Sequence, residues 1–160
     1  MKECFNRGSL LLLLFLSTAI FAQTTVYVSP SGLDSNPGTI DLPYKTIKTA
    51  LTKVGNNGTV YVRGGTYIMG SSKLNFSQKG DSLAKIKVWA YQNEKPVLDC
   101  STNTSDGLSM GGSNYHLRDI EVMKAGHNGI NISGNNNIVE NCVVHDNGNT
   151  GLHLTGSAAP

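Results

Sequence analysis

Histidines and aspartates in the last third of this 160-residue chain are the side chains best suited to chemistry. His127 and His145, the latter followed by Asp146, could move a proton or hold a hydroxyl group. Ser109, Asn131 and His153 recur at a spacing of 22 residues and offer one small polar group each. Such a column can floor a groove for a saccharide, and it is also what any solvent-facing ladder presents. The two histidines and Asp146 fall on turns just before the column, where they either wall the groove or remain solvated. Lys124 reads as a solvated rim residue. Between residues 101 and 160 the aspartates are Asp106, Asp119 and Asp146, with Asp106 and Asp146 far apart in the repeat. No acidic cluster of the kind that holds a hard cation results. The sequence contains no phosphate-binding loop, zinc-ligand spacing or nucleophile triad.

The elements that must position these groups follow from the repeat itself. Aligned at 22 residues, the chain from Gly107 to Gly156 gives GLSMGGSNYHLRDIEVMKAGHN, GINISGNNNIVENCVVHDNGNT and GLHLTGSAAP without a gap. Gly107, Gly129 and Gly151 share a column, as do Leu108, Ile130 and Leu152, then Met110, Ile132 and Leu154, then Gly112, Gly134 and Gly156. Leu117 aligns with Val139, Ile120 with Cys142, Val122 with Val144 and Asp119 with Asn141.

Each row breaks into short pieces of alternating apolar and polar residues, such as Gly129 to Ser133, Ile138 to Glu140 and Cys142 to Val144. Asp119 and Asn141 interrupt the alternation at one place, where a residue tolerant of the left-handed conformation allows a sharp bend. A unit of three short strands cannot bury its own inner face, and stacking one on the next solves that. The pattern predicts an all-β fold, a right-handed parallel β-helix of about 22 residues per coil with its inward columns as the core. The density of Gly and Asn argues against a leucine-rich repeat with helices.

Upstream the period is absent, yet the pieces are compatible. Thr25 to Ser29, Thr59 to Arg63 and Ile86 to Ala90 alternate as strands, and Pro30 to Pro43 is a loop. Tyr44 to Val54 places Ile47, Ala50, Leu51 and Val54 on one helical stripe, and the stop GNNG follows. A helix there would cap the first coil. The predicted organisation is a signal peptide over 1–22, a cap with the first coils over 23–100, and regular coils over 101–160 that break off within a turn of the helix.

Lys2 and Arg7 precede an apolar run from Leu10 to Leu16, which ends in small residues at Ala22, the form of a secretory signal. The run is too short to span a membrane, and no later stretch is apolar enough. Without residues 1–22 the chain has 11 basic and 10 acidic residues, a balance that gives no reason to expect nucleic acid or an anionic membrane. Cys100 and Cys142 fall in different parts of the pattern and read as free thiols more readily than as a disulfide. A monomer is expected.

The segment VYVSPSGLDSNPGTIDLPYKTIKTAL, followed by GTVYVRGGTY, resembles the start of many secreted bacterial β-helix proteins. The segment DGLSMGGSNYHLRDIEVMKAGHNGINISGNNNIVENCVVHDNGNTGLHLTG is similar to coils of family 9 polysaccharide lyases, the pectate lyase-like group. That resemblance implies cleavage of a polyuronate by β-elimination: a lysine removes the C5 proton beside the carboxylate, and the glycosidic oxygen leaves from C4. It also implies Ca²⁺, held by an aspartate cluster, to neutralise that carboxylate. Neither the cluster nor the lysine has a counterpart in this sequence, so both are expected beyond residue 160 and the chain alone is expected to be inactive. The contrasting expectation is a β-helix without catalysis that binds surface glycans or serves as an adhesive module.

Overall fold

Alternation of apolar and polar residues does produce strands, and tight polar corners keep them short. The structure, a computed structural model, describes residues 23–156, so the predicted signal segment lies outside the described residues. β1 (Thr25–Val28) and the helix α1 (Ile47–Lys53) come first. Successive coils of three strands follow: β2 (Thr59–Val62), β3 (Gly65–Ile68) and β4 (Leu74–Asn75), then β5 (Ile86–Ala90), β6 (Pro96–Asp99) and β7 (Leu108–Met110). After them come β8 (Tyr115–Arg118), β9 (Glu121–Met123) and β10 (Ile130–Ile132), and last β11 (Ile138–Glu140), β12 (Val143–His145) and β13 (Leu152–Leu154).

Every pairing between these strands is parallel. The first sheet runs β1-β2-β5-β8-β11, the second β3-β6-β9-β12 and the third β4-β7-β10-β13. The columns read from the sequence are the observed ladders: Leu108 pairs with Ile130 and Ile130 with Leu152, Leu117 with Val139, and Val122 with Val144. The fold is therefore the predicted parallel β-helix. Inward residues such as Leu108, Leu117, Ile120, Val122 and Ile130 are at most 1 % exposed. Each such burial contributes about 2 kcal/mol.

Corners carry the conformations that the Asn-rich turns allow. Positive φ occurs at Asn114 and Asn136 (63° and 57°), Asp119 and Asn141 (58° and 49°), and Lys124 and Asp146 (60° and 55°). Each pair shares a repeat column. Lys124 is thus a corner residue at the end of a strand. Asn side chains then tie coil to coil: Asn137 Oδ1 accepts from the Tyr115 amide at 2.9 Å and Asn147 Oδ1 from the Ala125 amide at 2.9 Å, each across 22 residues. Gly134 is required by close approach, because a Cβ there would strike the Gly112 carbonyl of the coil beneath.

The cap is shorter than its amphipathic stripe. Thr46 accepts from the Thr49 amide at 3.1 Å as N-cap, and Asp34 fixes the entry by accepting from the Lys45 and Thr46 amides at 3.0 and 2.8 Å. Tyr44 instead bridges to Val28 in extended form. α1 buries Ile47, Ala50 and Leu51 and packs against β1 and β2. Cys100 and Cys142 are free thiols, and burial pushes Cys100 up to about 11. No helix among the described residues is long and apolar enough to cross a membrane.

Candidate functional site on the third sheet

Outward positions of the third sheet form one polar column. Asn75 pairs with Ser109, Ser109 with Asn131 and Asn131 with His153, so the predicted column is real and extends one coil further back. Alternation fixes this: Leu108, Met110 and Ile130 point inward and are fully buried. Gly111, Ser133 and Thr155 continue the face, with Thr155 Oγ1 donating to Asn131 Oδ1 at 3.0 Å.

Asp106 anchors the margin of that column. It lies just before β7 and is 8 % exposed. Its Oδ1 accepts from His127 Nδ1 at 3.0 Å and from Asn128 Nδ2 at 2.9 Å, while Oδ2 accepts from Asn131 Nδ2 at 3.0 Å. Burial alone would push this carboxyl up, but the hydrogen bonds from His127, Asn131 and Asn128 outweigh it and hold the group down at about 2. The ladder continues as Thr150 Oγ1 donates to Asn128 Oδ1 at 2.7 Å.

A carboxylate can only accept, so His127 donates from Nδ1, and in the neutral ring Nε2 is then the acceptor facing Asn149 Nδ2 at 3.4 Å. The imidazole side chain is 57 % exposed. His127 is therefore held by its inner nitrogen and offers the outer one to whatever lies along the column. His153 Nδ1 has no hydrogen-bond partner among the described residues. Together these groups can bind hydroxyls along an extended chain. They include no nucleophile.

His145 and Asp146 are placed elsewhere. His145 is the last residue of β12, not a turn residue, and sits in the second sheet. It contacts Glu121 Oε1 at 3.1 Å and Asp146 Oδ2 at 3.0 Å, and these two carboxylates raise its pKa. Neither His145 nor Asp146 has a hydrogen bond to His127 or to the column, because β12 is separated from β13 by the polar turn at residues 146–151.

Sequence reasoning missed Asp106 and its neighbours Asn128 and Thr150. A signal was available, because these three directly precede Gly107, Gly129 and Gly151 and so form a polar column of their own. The described residues do not fit Ca²⁺. They contain no group of three or more His, Cys, Asp or Glu able to hold a metal, and the oxygens of Asp106 are already taken by N–H donors.

Comparison with known proteins finds that these coils are similar to parts of several lyases. A family model described as the Pel9A-like, right-handed beta helix region matches residues 26–160. Pectate lyase L of Paenibacillus polymyxa is 38% identical over 143 residues, 86% of this chain and 32% of that protein. Pectate lyase L of Dickeya dadantii is 26% identical over 155 residues, 90% of this chain and 36% of the relative. The crystal structure of pectate lyase Pel9A superposes with a TM-score of 0.75 at 28% identity, covering 83% of this chain and 36% of that one. A rhamnogalacturonan lyase shares the fold, with a TM-score of 0.64 at 24% identity over 71% of this chain and 34% of its own. The chain spans about a third or less of the length of the curated relatives it matches.

Proposed function

The chain belongs to the Pel9A-like right-handed β-helix family, and from that premise we propose that it supplies substrate-reading coils of a secreted lyase acting on pectate or a related polyuronate. It is a polysaccharide lyase-like β-helix protein. The observation that carries the finer reading is the polar column Asn75, Ser109, Asn131 and His153 on the third sheet, walled by the fixed imidazole of His127. Ser109, Asn131 and His153 would take hydroxyls of an extended saccharide, and His127 Nε2 would accept from one more. His145 and Asp146 are kept as candidates only for the outer margin. In this reading residues 23–100 form the cap and first coils, and residues 101–160 form regular coils.

The reaction removes the C5 proton of a uronate unit, forms the C4–C5 double bond and expels the glycosidic oxygen from C4, which leaves protonated. Bound Ca²⁺ would supply neutralisation of the uronate carboxylate. Its ligands and the base belong, in this proposal, outside the described residues, and no step is assigned to groups within them. The protein would act outside the cell as a monomer.

Incubating polygalacturonate, alginate and related uronans with Ca²⁺ and a longer protein that carries these coils tests the reading, with products resolved by mass spectrometry. Unsaturated uronides are expected. Saccharide retention on an affinity gel with no such products from any uronan would sink the lyase reading and favour a glycan-binding module. The 160-residue chain alone is expected to give none.

A further inference from the structure

The outer face of the first sheet carries a second ladder of a different character. Tyr27 pairs with Tyr61, Tyr61 with Trp89 and Trp89 with Arg118, in register across four parallel strands. Tyr91, just past β5, closes an aromatic group with ring centroids 5.5 Å from Tyr27 to Tyr61 and 5.6 Å from each of these to Tyr91. Cations lie over the rings: Arg118 Cζ is 3.9 Å and Lys87 Nζ 5.1 Å from the Trp89 centroid, and Arg63 Cζ is 5.1 Å from that of Tyr91. All of these side chains are partly exposed. The strip follows the helix axis for about 14 Å at the usual strand spacing.

Its polar groups are incompletely matched. Arg63 pairs with Glu94 and Arg118 with Asp119, whereas Lys85 Nζ donates to the Asn136 carbonyl and among the described residues neither Lys85 nor Lys87 has a carboxylate partner. Trp89 Nε1 is buried and has no hydrogen-bond acceptor among the described residues. Lys85, Lys87 and His116 line a shallow hollow of about 450 Å³ at the edge of the same strip. Partly exposed aromatic side chains suit the apolar side of a sugar ring, and ammonium groups without a carboxylate partner suit a carboxylate.

We propose that the outer face of the first sheet is a second glycan-binding surface, separate from the polar column, which takes an acidic polysaccharide by contact with the exposed parts of the Tyr61 and Trp89 side chains and carboxylate pairing with Lys85 and Lys87. It holds the polymer to the β-helix without acting on it. The polyuronate identity of the ligand rests on the lyase reading, whereas an acidic saccharide as a class rests on this strip alone.

Trp89 is the one tryptophan in the sequence, so its emission reports this face directly. Titration of the chain with oligogalacturonate should change that emission saturably, and neutral galacto-oligosaccharide of equal length should not. Lys85→Glu and Lys87→Glu together should weaken the response about tenfold, and salt should weaken it in the unaltered chain. Tyr61→Leu, with an unchanged far-ultraviolet spectrum, should weaken it as well. Three results would overturn the proposal: no saturable response, an equal response to the neutral saccharide, or emission that depends on protein concentration alone, which would make the strip a contact between copies. Unsaturated uronides are read independently, so lyase activity with a silent Trp89 defeats this surface and leaves the lyase reading standing.

Discussion

His127 and Asp106 are joined across one coil, Nδ1 to Oδ1 at 3.0 Å, and the bond ties the turn before β10 to the turn before β7. Asp106 is nearly buried, so its charge is tolerated only because donors from His127, Asn128 and Asn131 surround it. With its pKa held at about 2 against an ordinary 3.8, its contribution is complete above roughly pH 4 and lost as pH falls toward 2. Asp106→Asn should cost about 2 kcal/mol at neutral pH, and the difference should shrink in acid. Urea unfolding of both proteins at pH 7 and near pH 2.5 measures it. A pH-independent gap would show that shape, not charge, matters at this site.

That pair also marks the limit of sequence reading. The regular coils were legible because the inward columns and the turn residues repeat at 22, and Asn141 was identified as a bend residue for the reason the structure gives, a positive φ. β3, β4 and β6 were not legible. Thr59 pairs with Lys87 but Gly65 with Pro96 and Val97 with Glu121, so loops of unequal length erase the period upstream. The Ser109, Asn131 and His153 column followed from alternation alone. The Asp106 network did not, because a buried carboxylate is recognised by its donors, and those come from the next coil.

Gly134 sits at a close approach between adjacent coils. Gly134→Ala pushes a methyl group into the Gly112 carbonyl, a backbone atom that cannot rotate aside. The expected loss is about 2 kcal/mol. Gly55→Ala is a useful contrast, since space there is open and only its φ of 70° is strained. Thermal unfolding should place Gly134→Ala well below Gly55→Ala, and the reverse order would mean that the coils separate readily at this corner.

At the corner between β11 and β12, Asn141 Nδ2 donates to Asp119 Oδ1 at 2.5 Å while its own φ is 49°. Asn141→Ala loses the bond and keeps the strain, at about 2 kcal/mol. Asn141→Gly loses the bond but removes the strain, so it should cost under about 1 kcal/mol. Denaturant midpoints separate the two. Equal losses would assign the whole effect to the hydrogen bond.

His145 lies between Glu121 and Asp146, and hydrogen bonds to the two carboxylates raise its pKa above 6.5. A raised folded-state value means that its contribution is present below the unfolded pKa and is lost as pH rises through the folded one. Imidazole proton shifts followed by NMR should give a midpoint above 6.5 that moves back down in Glu121→Gln. An unmoved midpoint would leave Asp146 as the dominant partner.

His153 gives the cleanest test of the polar column, because Nδ1 has no internal partner among the described residues while the residue pairs with Asn131 in register. Removing a side chain that holds nothing within the fold should leave stability within about 0.5 kcal/mol. If the column binds saccharide hydroxyls, His153→Ala gives up one hydrogen bond and should weaken oligogalacturonate binding about fivefold. Asn131→Ala differs, since it also strips a donor from Asp106 and an acceptor from Thr155, so it should weaken binding and stability together. Calorimetric titration paired with thermal unfolding distinguishes the cases. Unchanged affinity in both variants would remove the column from substrate binding and leave it as a solvated ladder, while the stability loss in Asn131→Ala would still stand because it arises inside the coil stack.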